Sequence, residues 1–515
     1  MFIGKYFKKI KPEFRKHYFS GISFNSQLCK KNNIFFSIKG NEKDGNKFIS
    51  HAISNGAKTI IYNKKFQGFK NGVLYLRFKN VRKILAELSH KIFYSKLNNL
   101  IAVTGTNGKS SICNFYFQIL NLNKKKAASL GTLGIKTASR ILPLSNTTMD
   151  PIHLSKCLKN LKKKKIKNVI LEASSHGLKQ HRLDGLKFNT GIFTNLSHDH
   201  LDYHKNMTNY LKSKLYLFDK LIKKNGNLIT DAKIPQLNKI RKILIKKKIN
   251  LNLIFDQKKG IELISHKFEN EKQVLRIKFQ NIEYEIELGL IGKIQIKNIL
   301  MAMLAANKSG LKFKKIINVI NKIKSVDGRL QKIGNILNKS RVILDYAHTP
   351  AALKLALLNL KQQFPSSRIN LIFGCGGNRD LKKRPLMGRI AEMYSDKIYL
   401  TDDNPRYEEP LKIRKEIKNV INKNKVNEIS NRKIAIQEAI KNLETGDILL
   451  VAGKGHEKIQ DYGKKKLFFS DKNEILNSIK IKNKSLSKDF KLNIIREQSK
   501  SKISNKLVIK DISIN

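Results

Sequence analysis

Residues 101–111 read IAVTGTNGKSS, and this stretch decides the fold of the surrounding chain. An apolar run, Leu100 to Val103, breaks into a turn that carries Gly105 and Gly108 and ends in Lys-Ser-Ser. Such a turn between a buried strand and a helix points backbone N–H groups at one spot, with a lysine for outer phosphates and a hydroxyl for Mg²⁺. The common phosphate-loop pattern has a glycine where Val103 stands, so an ordinary strand–turn–helix connection is the alternative.

The composition is strongly basic. The chain has 515 residues, 103 Lys plus Arg against 39 Asp plus Glu, and a formal net charge of +64. Such a charge usually indicates a nucleic-acid or membrane-surface partner. Here the basic residues are spread along the whole chain beside many Ile and Asn residues, as an AT-rich coding sequence would produce. We therefore expect neither nucleic acid nor a membrane as partner, and anionic substrates instead.

Cysteine usage points to a reducing compartment. The four cysteines, at positions 29, 113, 157 and 375, form no CxxC pair, so no disulfide framework or zinc site is indicated. No apolar run reaches the roughly 18 residues that a membrane-spanning helix needs. The expectation is a cytoplasmic protein.

Strands and helices alternate along most of the chain, which predicts the α/β class. In the first part, 34–38 is a predicted strand and 48–56 a predicted helix. The segment 225–290 is rich in strand formers and predicts a small β insert. The last α/β unit begins near Gly328, with strands predicted at 342–344, 369–373, 397–400 and 448–451.

Acidic and histidine side chains cluster after two buried-strand candidates. Residues 171–182 read LEASSHGLKQHR and residues 194–204 read TNLSHDHLDYH. Both segments would lie at the carboxyl edge of a parallel sheet, beside the phosphate loop, where such sheets bind ligands. Glu172 and His200 could hold a metal there, although Mg²⁺ prefers oxygen ligands. For His204 alone, a structural hydrogen-bonded role is the favoured interpretation.

Loops with polar motifs follow strands of the last unit. They read DYAHTP (345–350), GCGGNRD (374–380), DNPR (403–406) and GKGHE (453–457). Arg379 and Arg406 suit a carboxylate, because guanidinium binds it in a bidentate way, and Glu457 suits an ammonium. Together they indicate a zwitterionic, amino-acid-like ligand, while each motif alone could be an ordinary turn.

The ordered set of motifs resembles the Mur ligases, the ATP-dependent amide-bond-forming enzymes of peptidoglycan synthesis. TGTNGKSS, NTT, EASSHGL, NLSHDHLDYH, DGR, DYAHTP, DNPR and GKGHE occur in the family's order over roughly residues 20–475. SSHGLxQHR and DNPR resemble the branch that uses meso-2,6-diaminopimelate. The resemblance implies an ADP-forming ligase that adds this amino acid to UDP-N-acetylmuramoyl-L-alanyl-D-glutamate through an acyl phosphate.

The resemblance also implies three α/β domains. They are an N-terminal UDP-sugar-binding domain (1–97), a central P-loop ATPase domain with a parallel-rich sheet (98–328) and a C-terminal Rossmann-like amino-acid-binding domain (329–480). Residues 481–515 are predicted to be a loosely ordered tail. The expected state is a monomer.

The site residues implied by the resemblance fall into four groups. ATP would contact Gly105, Thr106, Asn107, Gly108, Lys109, Ser110, Ser111, Asn298, Arg329, Asp345 and His348. Mg²⁺ would bind Ser110, Glu172, His200 and Lys214, with Lys214 carbamylated by CO₂. The catalytic set would be Lys109, Glu172, His200 and Lys214. The UDP-muramoyl dipeptide would contact Phe24, Ser26, Asn41, Glu42, Lys43, Asn146, Thr147, Thr148, Ser174, Gln180 and Arg182. Diaminopimelate would contact Arg379, Asp403, Asn404, Pro405, Arg406, Gly453 and Glu457.

The chain departs from the family pattern at three places. Phe24-Asn25-Ser26-Gln27 stands where LDSR is usual, His198 replaces an arginine, and Gln295-Ile296 replaces part of FNVYN. A related ligase such as folylpolyglutamate synthase is the second hypothesis, against which DNPR and SSHGLxQHR argue. A nucleic-acid-dependent NTPase is the third hypothesis, and no aromatic–basic binding motif supports it.

Overall fold

The computed structural model describes residues 1–40, 43–93, 96–269 and 271–488. The chain divides into two compact units. The first contains Met1–Ile264, Arg276–Tyr284 and Lys297–Ile320; the second contains Ser265–Leu275, Glu285–Ile296 and the chain from Asn321 onward. No helix in the described ranges is long and apolar enough to cross a bilayer.

The first sheet lies near the start of the chain. Its strands are β1 (Gly21–Ser23), β2 (Asn33–Phe36), β3 (Ala57–Tyr62), β4 (Gly68–Lys70) and β5 (Val73–Arg77), in the order β1-β2-β3-β5-β4. All neighbours are parallel except β4 and β5. Helices α1 (Ile49–Ser54) and α2 (Val81–Phe93) follow β2 and β5. The predicted strand and helix of this region are confirmed as β2 and α1.

The second sheet is built around the strand that precedes the phosphate loop. Its strands are β6 (Asn99–Thr104), β7 (Ala127–Gly131), β8 (Gly134–Lys136), β9 (Ile141–Leu142), β10 (Asn168–Glu172), β11 (Phe188–Phe193), β12 (Ile222–Asp231), β13 (Asn250–Ile254), β14 (Gly260–Glu269), β15 (Lys272–Phe279) and β16 (Ile282–Leu288). The order is β16-β15-β14-β13-β12-β11-β6-β10-β7-β8-β9, and the strands from β13 to β7 are parallel. β6 is therefore central, with β10 and β11 on either side, as doubly wound sheets place their ligand-binding loops.

Helices connect these strands. They are α3 (Lys109–Leu122), α4 (Pro151–Lys163), α5 (Ser175–Lys179), α6 (Leu201–His204), α7 (Met207–Tyr216), α8 (Leu237–Lys247), α9 (Ile294–Lys308) and α10 (Phe313–Ile320). The expectation of a small β insert over 225–290 is wrong. α8 lies inside this segment because Ile240 and Leu244 recur at helical spacing and are buried, and β12 and β13 continue the parallel sheet.

The third sheet belongs to the second unit. Its strands are β17 (Gln331–Lys332), β18 (Arg341–Asp345), β19 (Ile369–Phe373), β20 (Lys397–Leu400), β21 (Val426–Glu428) and β22 (Ile448–Ala452), in the order β17-β18-β22-β19-β20-β21. A hairpin of β23 (Ile459–Tyr462) and β24 (Lys465–Phe468) follows. The helices are α11 (Pro350–Gln363), α12 (Lys383–Tyr394), α13 (Pro410–Lys418) and α14 (Arg432–Lys441). The four strands predicted for this unit are confirmed as β18, β19, β20 and β22.

A helix, α15, covers 471–488, so the expected loose order is wrong for residues 481–488. Ile475 and Ile479 are buried in the core beneath the third sheet, and Leu486 packs against the same core. Asn483 also accepts a hydrogen bond from the Leu337 amide at 3.0 Å. The remainder of the predicted tail lies outside the described residues.

Each main sheet lies within one of the predicted domain segments: β1–β5 in 1–97, β6–β16 in 98–328 and β17–β22 in 329–480. The compact units follow a different division, because the first and second segments form much of one unit. The three domain boundaries stay a prediction.

Candidate active site

The phosphate loop occupies the turn between β6 and α3. Gly105 has φ +148° and Gly108 has φ +88°, and α3 begins at Lys109. A Cβ at position 105 would lie 1.8 Å from Thr194 Oγ1, and one at position 108 would lie 2.6 Å from Asn298 Oδ1. Both positions therefore require glycine, for conformation and for space.

Thr194 and Asn195, which directly follow β11, form hydrogen bonds with the phosphate loop. Thr194 Oγ1 donates to the Asn107 carbonyl at 2.6 Å, and the Asn107 amide donates to Asn195 Oδ1 at 3.0 Å. The Thr106 amide donates to the Asn195 carbonyl, also at 3.0 Å. These bonds shape the loop before any nucleotide binds, so the predicted phosphate-binding residues are brought together at the start of one helix.

Lys109 is folded back over this loop. Its Nζ donates to the Gly105 carbonyl at 3.0 Å and to the Thr106 carbonyl at 2.9 Å. Ser110 and Ser111 follow it in the first turn of α3 and are buried. The ammonium group thus lies at the loop, where a bound anion would meet it.

Glu172 ends β10, directly beside the strand of the phosphate loop. Its carboxylate accepts from the Thr132 amide at 2.8 Å and from Thr132 Oγ1 at 3.2 Å, while Thr148 Oγ1 donates to its carbonyl at 2.9 Å. A Cβ at Gly131 would lie 2.2 Å from Glu172 Oε1. Glu172 is buried, and two donors of one residue fix its orientation.

Histidine rings gather after β11. His200 adopts a left-handed conformation (φ 53°), and its ring lies 4.9 Å from the ring of His176, centroid to centroid. Burial lowers the pKa of His200, and the charges of Lys109 and Lys214 lower it further against the opposing effect of Asp199. A neutral imidazole is what metal coordination requires.

His204 has a structural role, as expected. It is fully buried, and its Nε2 lies 3.0 Å from Ser175 Oγ. Burial lowers its pKa to about 4. The hydrogen bond ties α6 to the start of α5 and leaves His204 within the packing of these helices.

Lys214 lies in the last turn of α7 and is 1% exposed. Its Nζ lies 4.3 Å from the centroid of the Tyr210 ring, and no carboxylate forms a salt bridge with it in the described part of the chain. Burial, followed by the charge of Lys109, lowers the pKa of Lys214 well below its usual value. Both effects favour the neutral, nucleophilic form of the amine over the ammonium.

Within the described ranges, no group of three or more His, Cys, Asp or Glu side chains is placed to hold a metal ion. The predicted metal set contains only two residues of these types, Glu172 and His200. Its second anionic ligand, beside Glu172, would be the carbamate of Lys214. The donor chemistry fits Mg²⁺ only if that carbamate forms, because Mg²⁺ prefers oxygen ligands.

A cavity of about 680 Å³ lies within the first unit, beside the starts of α2 and α4. Among the residues predicted for the nucleotide-sugar peptide, it gathers Phe24, Lys43, Asn146, Gln180 and Arg182. Arg182 is rigidly held: Nε and Nη2 donate to Gln180 Oε1 at 3.0 and 2.8 Å, and Nη1 donates to the Thr148 carbonyl at 2.6 Å.

The other described residues that were predicted for this group do not line the cavity. Ser26 is buried and hydrogen-bonded to His51, 3.1 Å from its Nδ1. Thr147 Oγ1 lies 3.1 Å from Thr132 Oγ1, and Thr148 donates to Ser174 Oγ at 3.0 Å, so these residues adjoin Glu172 instead. Asn41 and Glu42 lie outside the described residues.

The second unit brings DNPR and GKGHE together. Asn404 Nδ2 donates to Glu457 Oε2 at 3.0 Å, and Tyr346 donates to Glu457 Oε1 at 3.2 Å. Lys454, fully buried, donates to Asn404 Oδ1 at 3.1 Å and to the Ile459 carbonyl at 2.6 Å. A buried cation thus fixes both motifs relative to each other.

Asp403 faces Gly453 across the same loops. Asp403 Oδ2 is buried without a hydrogen bond, and a Cβ at Gly453 (φ +113°) would lie 2.6 Å from it. Arg406 Nη1 donates to the Gly377 carbonyl at 2.8 Å. Pro405 lies between them in sequence, whereas Arg379 is exposed and takes no part in these hydrogen bonds in the described ranges.

The residues predicted near adenosine divide between the units. Asn298 lies beside Gly108 in the first unit. In the second unit, the Arg329 guanidinium stacks 4.6 Å from the Tyr346 ring centroid, and Asp345 Oδ2 accepts from the Leu330 amide at 2.7 Å. His348 Nδ1 lies 2.8 Å from the Tyr346 carbonyl.

Sequence reasoning missed several residues of these sites. Arg82 lines the cavity beside α2, and no motif marked it. Lys454 lies inside the quoted GKGHE motif, but nothing in the sequence distinguishes a buried lysine from an exposed one. Thr194 and Asn195 were quoted with the histidine segment, and their position directly after a strand was the signal that could have assigned them to the phosphate loop.

Comparison with known proteins agrees with the motif order. The model of the Mur ligase middle domain matches residues 103–306, and that of the Mur ligase glutamate ligase domain matches residues 328–455. UDP-N-acetylmuramoyl-L-alanyl-D-glutamate–2,6-diaminopimelate ligase from Rickettsia rickettsii is 40% identical over 92% of this chain and 98% of its own length. The enzyme of the same name from Zymomonas mobilis is 36% identical over 88% of this chain and 93% of its own length.

A solved structure of a UDP-N-acetylmuramoyl-L-alanyl-D-glutamate–2,6-diaminopimelate ligase has a TM-score of 0.68 and 28% identity to this chain, and the match covers 93% of this chain and 99% of that one. Family models, relatives and fold therefore agree. The chain belongs to the Mur ligase family.

Proposed function

We propose that this chain is the ATP-dependent ligase that adds meso-2,6-diaminopimelate to UDP-N-acetylmuramoyl-L-alanyl-D-glutamate. The observation that carries this most directly is the 40% identity, over 92% of the chain, to a relative that bears this name. The phosphate loop and the two polar loop clusters supply matching chemistry for a nucleotide and an amino acid.

The reaction has two steps. A carboxylate oxygen of the glutamyl residue attacks the γ-phosphorus of ATP; the P–O bond to ADP breaks and an acyl phosphate forms. The amine of diaminopimelate then attacks the acyl carbon; the C–O bond to phosphate breaks, phosphate leaves and the amine loses a proton. No protein nucleophile is needed, so the enzyme works by positioning and by neutralising charge.

The phosphate loop performs the neutralisation. Its amide groups from Gly105 to Ser111 would receive the ATP phosphates at the start of α3. Lys109 is already held over this loop by two carbonyls, 3.0 and 2.9 Å away, and would exchange them for phosphate oxygens. Exchanging neutral acceptors for anionic ones strengthens the hydrogen bonds, which favours nucleotide binding.

We further propose that Ser110, Glu172, His200 and carbamylated Lys214 hold Mg²⁺. Bound Mg²⁺ would neutralise charge on the transferring phosphoryl group. Lys214 has the properties that carbamate formation needs, because burial and the charge of Lys109 favour its neutral amine. The Thr132 donors keep Glu172 in one orientation, and the lowered pKa of His200 keeps its ring neutral.

The second unit would bind the amino acid. Glu457 and Asp403 offer carboxylate oxygens to its ammonium groups, and Arg406 offers a guanidinium to a carboxylate. Lysine lacks the distal carboxylate of diaminopimelate, so Arg406 would be left desolvated and unpaired when lysine is bound. Discrimination by this loop would therefore be strong.

A phosphate-release assay tests the proposal. With ATP and the muramoyl dipeptide, we expect rapid release with meso-diaminopimelate and little with lysine. Equal rates with the two amino acids would contradict the assigned specificity. Release that needs tetrahydrofolate and glutamate, or DNA or RNA, in place of the muramoyl dipeptide would reverse the assignment of function.

A further inference from the structure

The cavity beside α2 and α4 has a surplus of positive charge. Three of the side chains that line it are cationic, Lys43, Arg82 and Arg182, and among its described lining residues only Asp150 is acidic. Asp150 already caps α4: its Oδ1 accepts from two backbone amides at 3.1 Å, and its Oδ2 lies 2.7 Å from His153 Nδ1. The charge of Asp150 also acts on Arg182, so it offsets part of the surplus, and the described lining residues keep a net positive charge.

Both arginines are held by neutral acceptors. Arg182 is fixed by the Gln180 side chain and the Thr148 carbonyl, and Arg82 Nη2 donates to the Lys39 carbonyl at 3.0 Å. A guanidinium carries five N–H donors, so each arginine keeps donors for a ligand. Neither has a carboxylate partner within the described residues, which leaves the charge of both available to an anion.

Like charges in one partly buried space also oppose each other. Burial lowers the pKa of Arg82 and of Arg182, and the charge of Arg82 lowers that of Arg182 further. An anion between them would relieve both effects. A guanidinium binds a carboxylate or a phosphate in a bidentate way, and two guanidinium groups border this cavity.

We propose that Arg82 is a substrate-binding residue that, with Arg182, holds an anionic group of the nucleotide-sugar peptide. This inference rests on the proposed function. That substrate has two such groups beyond the reacting carboxylate: the second carboxylate of its glutamyl residue and the diphosphate. The hydrogen bonds of Arg182 favour the carboxylate, because they link Arg182 to Glu172, near which the glutamyl residue would react. Arg182 donates to the Thr148 carbonyl, and the Thr148 hydroxyl donates to the Glu172 carbonyl.

The consequence is a choice between two carboxylates. If Arg82 and Arg182 bind one of them, only the other is free to meet the phosphoryl group near Glu172. The arginine pair would then determine which amide bond the enzyme forms, in addition to contributing affinity.

Steady-state kinetics of Arg82→Gln and Arg82→Lys test the proposal, with Arg77→Gln as a control for an exposed arginine nearby in sequence. Losing a charge-assisted hydrogen bond should raise the KM for the nucleotide-sugar peptide by about tenfold to a hundredfold in Arg82→Gln. The KM for ATP should stay at the wild-type value, and Arg82→Lys should recover part of the loss. Thermal unfolding checks that each variant is folded.

A substrate analogue locates the anion. In the analogue, the non-reacting carboxylate is replaced by a carboxamide. If Arg82 binds that carboxylate, the wild type loses affinity for the analogue, and Arg82→Gln adds little further loss. If the full loss in Arg82→Gln persists on the analogue, the diphosphate is the group bound.

Two results would overturn the role of Arg82. One is a KM for the nucleotide-sugar peptide that matches the Arg77→Gln control in folded Arg82→Gln and Arg82→Lys. The other is an equal rise in the KM for ATP and for the peptide substrate. A wild-type enzyme that makes no product from the peptide substrate would instead refute the proposed function, so the two failures are distinguishable.

Discussion

Replacing Gly105 by alanine should weaken nucleotide binding strongly without unfolding the protein. The new Cβ would lie 1.8 Å from Thr194 Oγ1 and 3.0 Å from the Asn195 amide nitrogen. Ordinary contact between heavy atoms requires about 3.5 Å, so the loop or Thr194 has to move by more than about 1 Å. Rotating Thr194 away would also break its 2.6 Å hydrogen bond to the Asn107 carbonyl.

The size of the effect follows from this displacement. A displacement of about 1 Å at a site that works by positioning reduces the function of that site on the order of a hundredfold. An alanine at φ +148° adds backbone strain of about 1–3 kcal/mol, which appears as lost stability. We therefore expect Gly105→Ala to weaken ATP binding about a hundredfold.

Gly310→Ala separates the clash from the strain. Gly310 also has positive φ, +92°, but no atom of the described residues lies within 4 Å of its added Cβ. This variant should lose about 1–2 kcal/mol of unfolding free energy and keep wild-type affinity for ATP. Binding of a fluorescent ATP analogue measures affinity, and urea unfolding followed by circular dichroism measures stability. A folded Gly105→Ala protein that binds the analogue as tightly as the wild type would refute the assignment of this loop.

Three further predictions concern other groups. Lys214→Ala should lose turnover, and bicarbonate should not restore it. The control Lys212→Ala, at an exposed position of the same helix, should remain active. Comparable turnover rates in the two variants would exclude Lys214 from the site. Arg406→Ala should raise the KM for diaminopimelate far more than that for ATP, because its guanidinium would pair the distal carboxylate; equal rises would contradict that role. Burial lowers the pKa of His90 from 6.5 to about 3. Between these pH values the unfolded chain binds a proton at His90 that the folded chain does not bind. The unfolding free energy should therefore fall by about 1.4 kcal/mol per pH unit as pH drops from 6.5 to 3. Urea unfolding at several pH values should show a shallower slope for His90→Gln, and an unchanged slope would show that His90 does not carry this linkage.

Local patterns predicted the strands and the glycine turn between β6 and α3 well, because both depend on residues adjacent in sequence. The predicted strand from Leu100 to Val103 lies within β6, and α3 begins at Lys109, where the glycine turn ends. The same holds for β18, β19, β20 and β22, which are short, apolar and bounded by polar turns.

Longer-range packing explains the two wrong predictions. The lysine-rich sequence of α8 includes a helical apolar face, since Ile240 and Leu244 are buried while Arg241 and Lys242 between them are exposed. Likewise, Ile475, Ile479 and Leu486 anchor α15 on the core of the third sheet, although most of the intervening residues are polar. In both segments a few buried side chains outweigh an unfavourable composition.

The residues of the candidate site also divide into those that local sequence patterns predicted and those that only tertiary contacts reveal. Motifs located the segments that carry Glu172, Lys214 and Asn404, because those residues lie in distinctive stretches. Arg82 lies on an ordinary amphipathic helix and becomes notable only through the cavity that it shares with Arg182. Lys454 becomes notable only through its burial. Such roles depend on tertiary contacts that no linear pattern records.

Transfer of ¹⁸O from the substrate to phosphate tests most directly the central claim, that the enzyme activates the glutamyl carboxylate as an acyl phosphate. The muramoyl dipeptide is prepared with ¹⁸O in its reacting glutamyl carboxylate and incubated with ATP and meso-diaminopimelate. Activation through an acyl phosphate predicts that each inorganic phosphate released carries one ¹⁸O atom, matched by one molecule of diaminopimelate-containing product. Released phosphate without ¹⁸O, alongside normal product formation, would contradict the account.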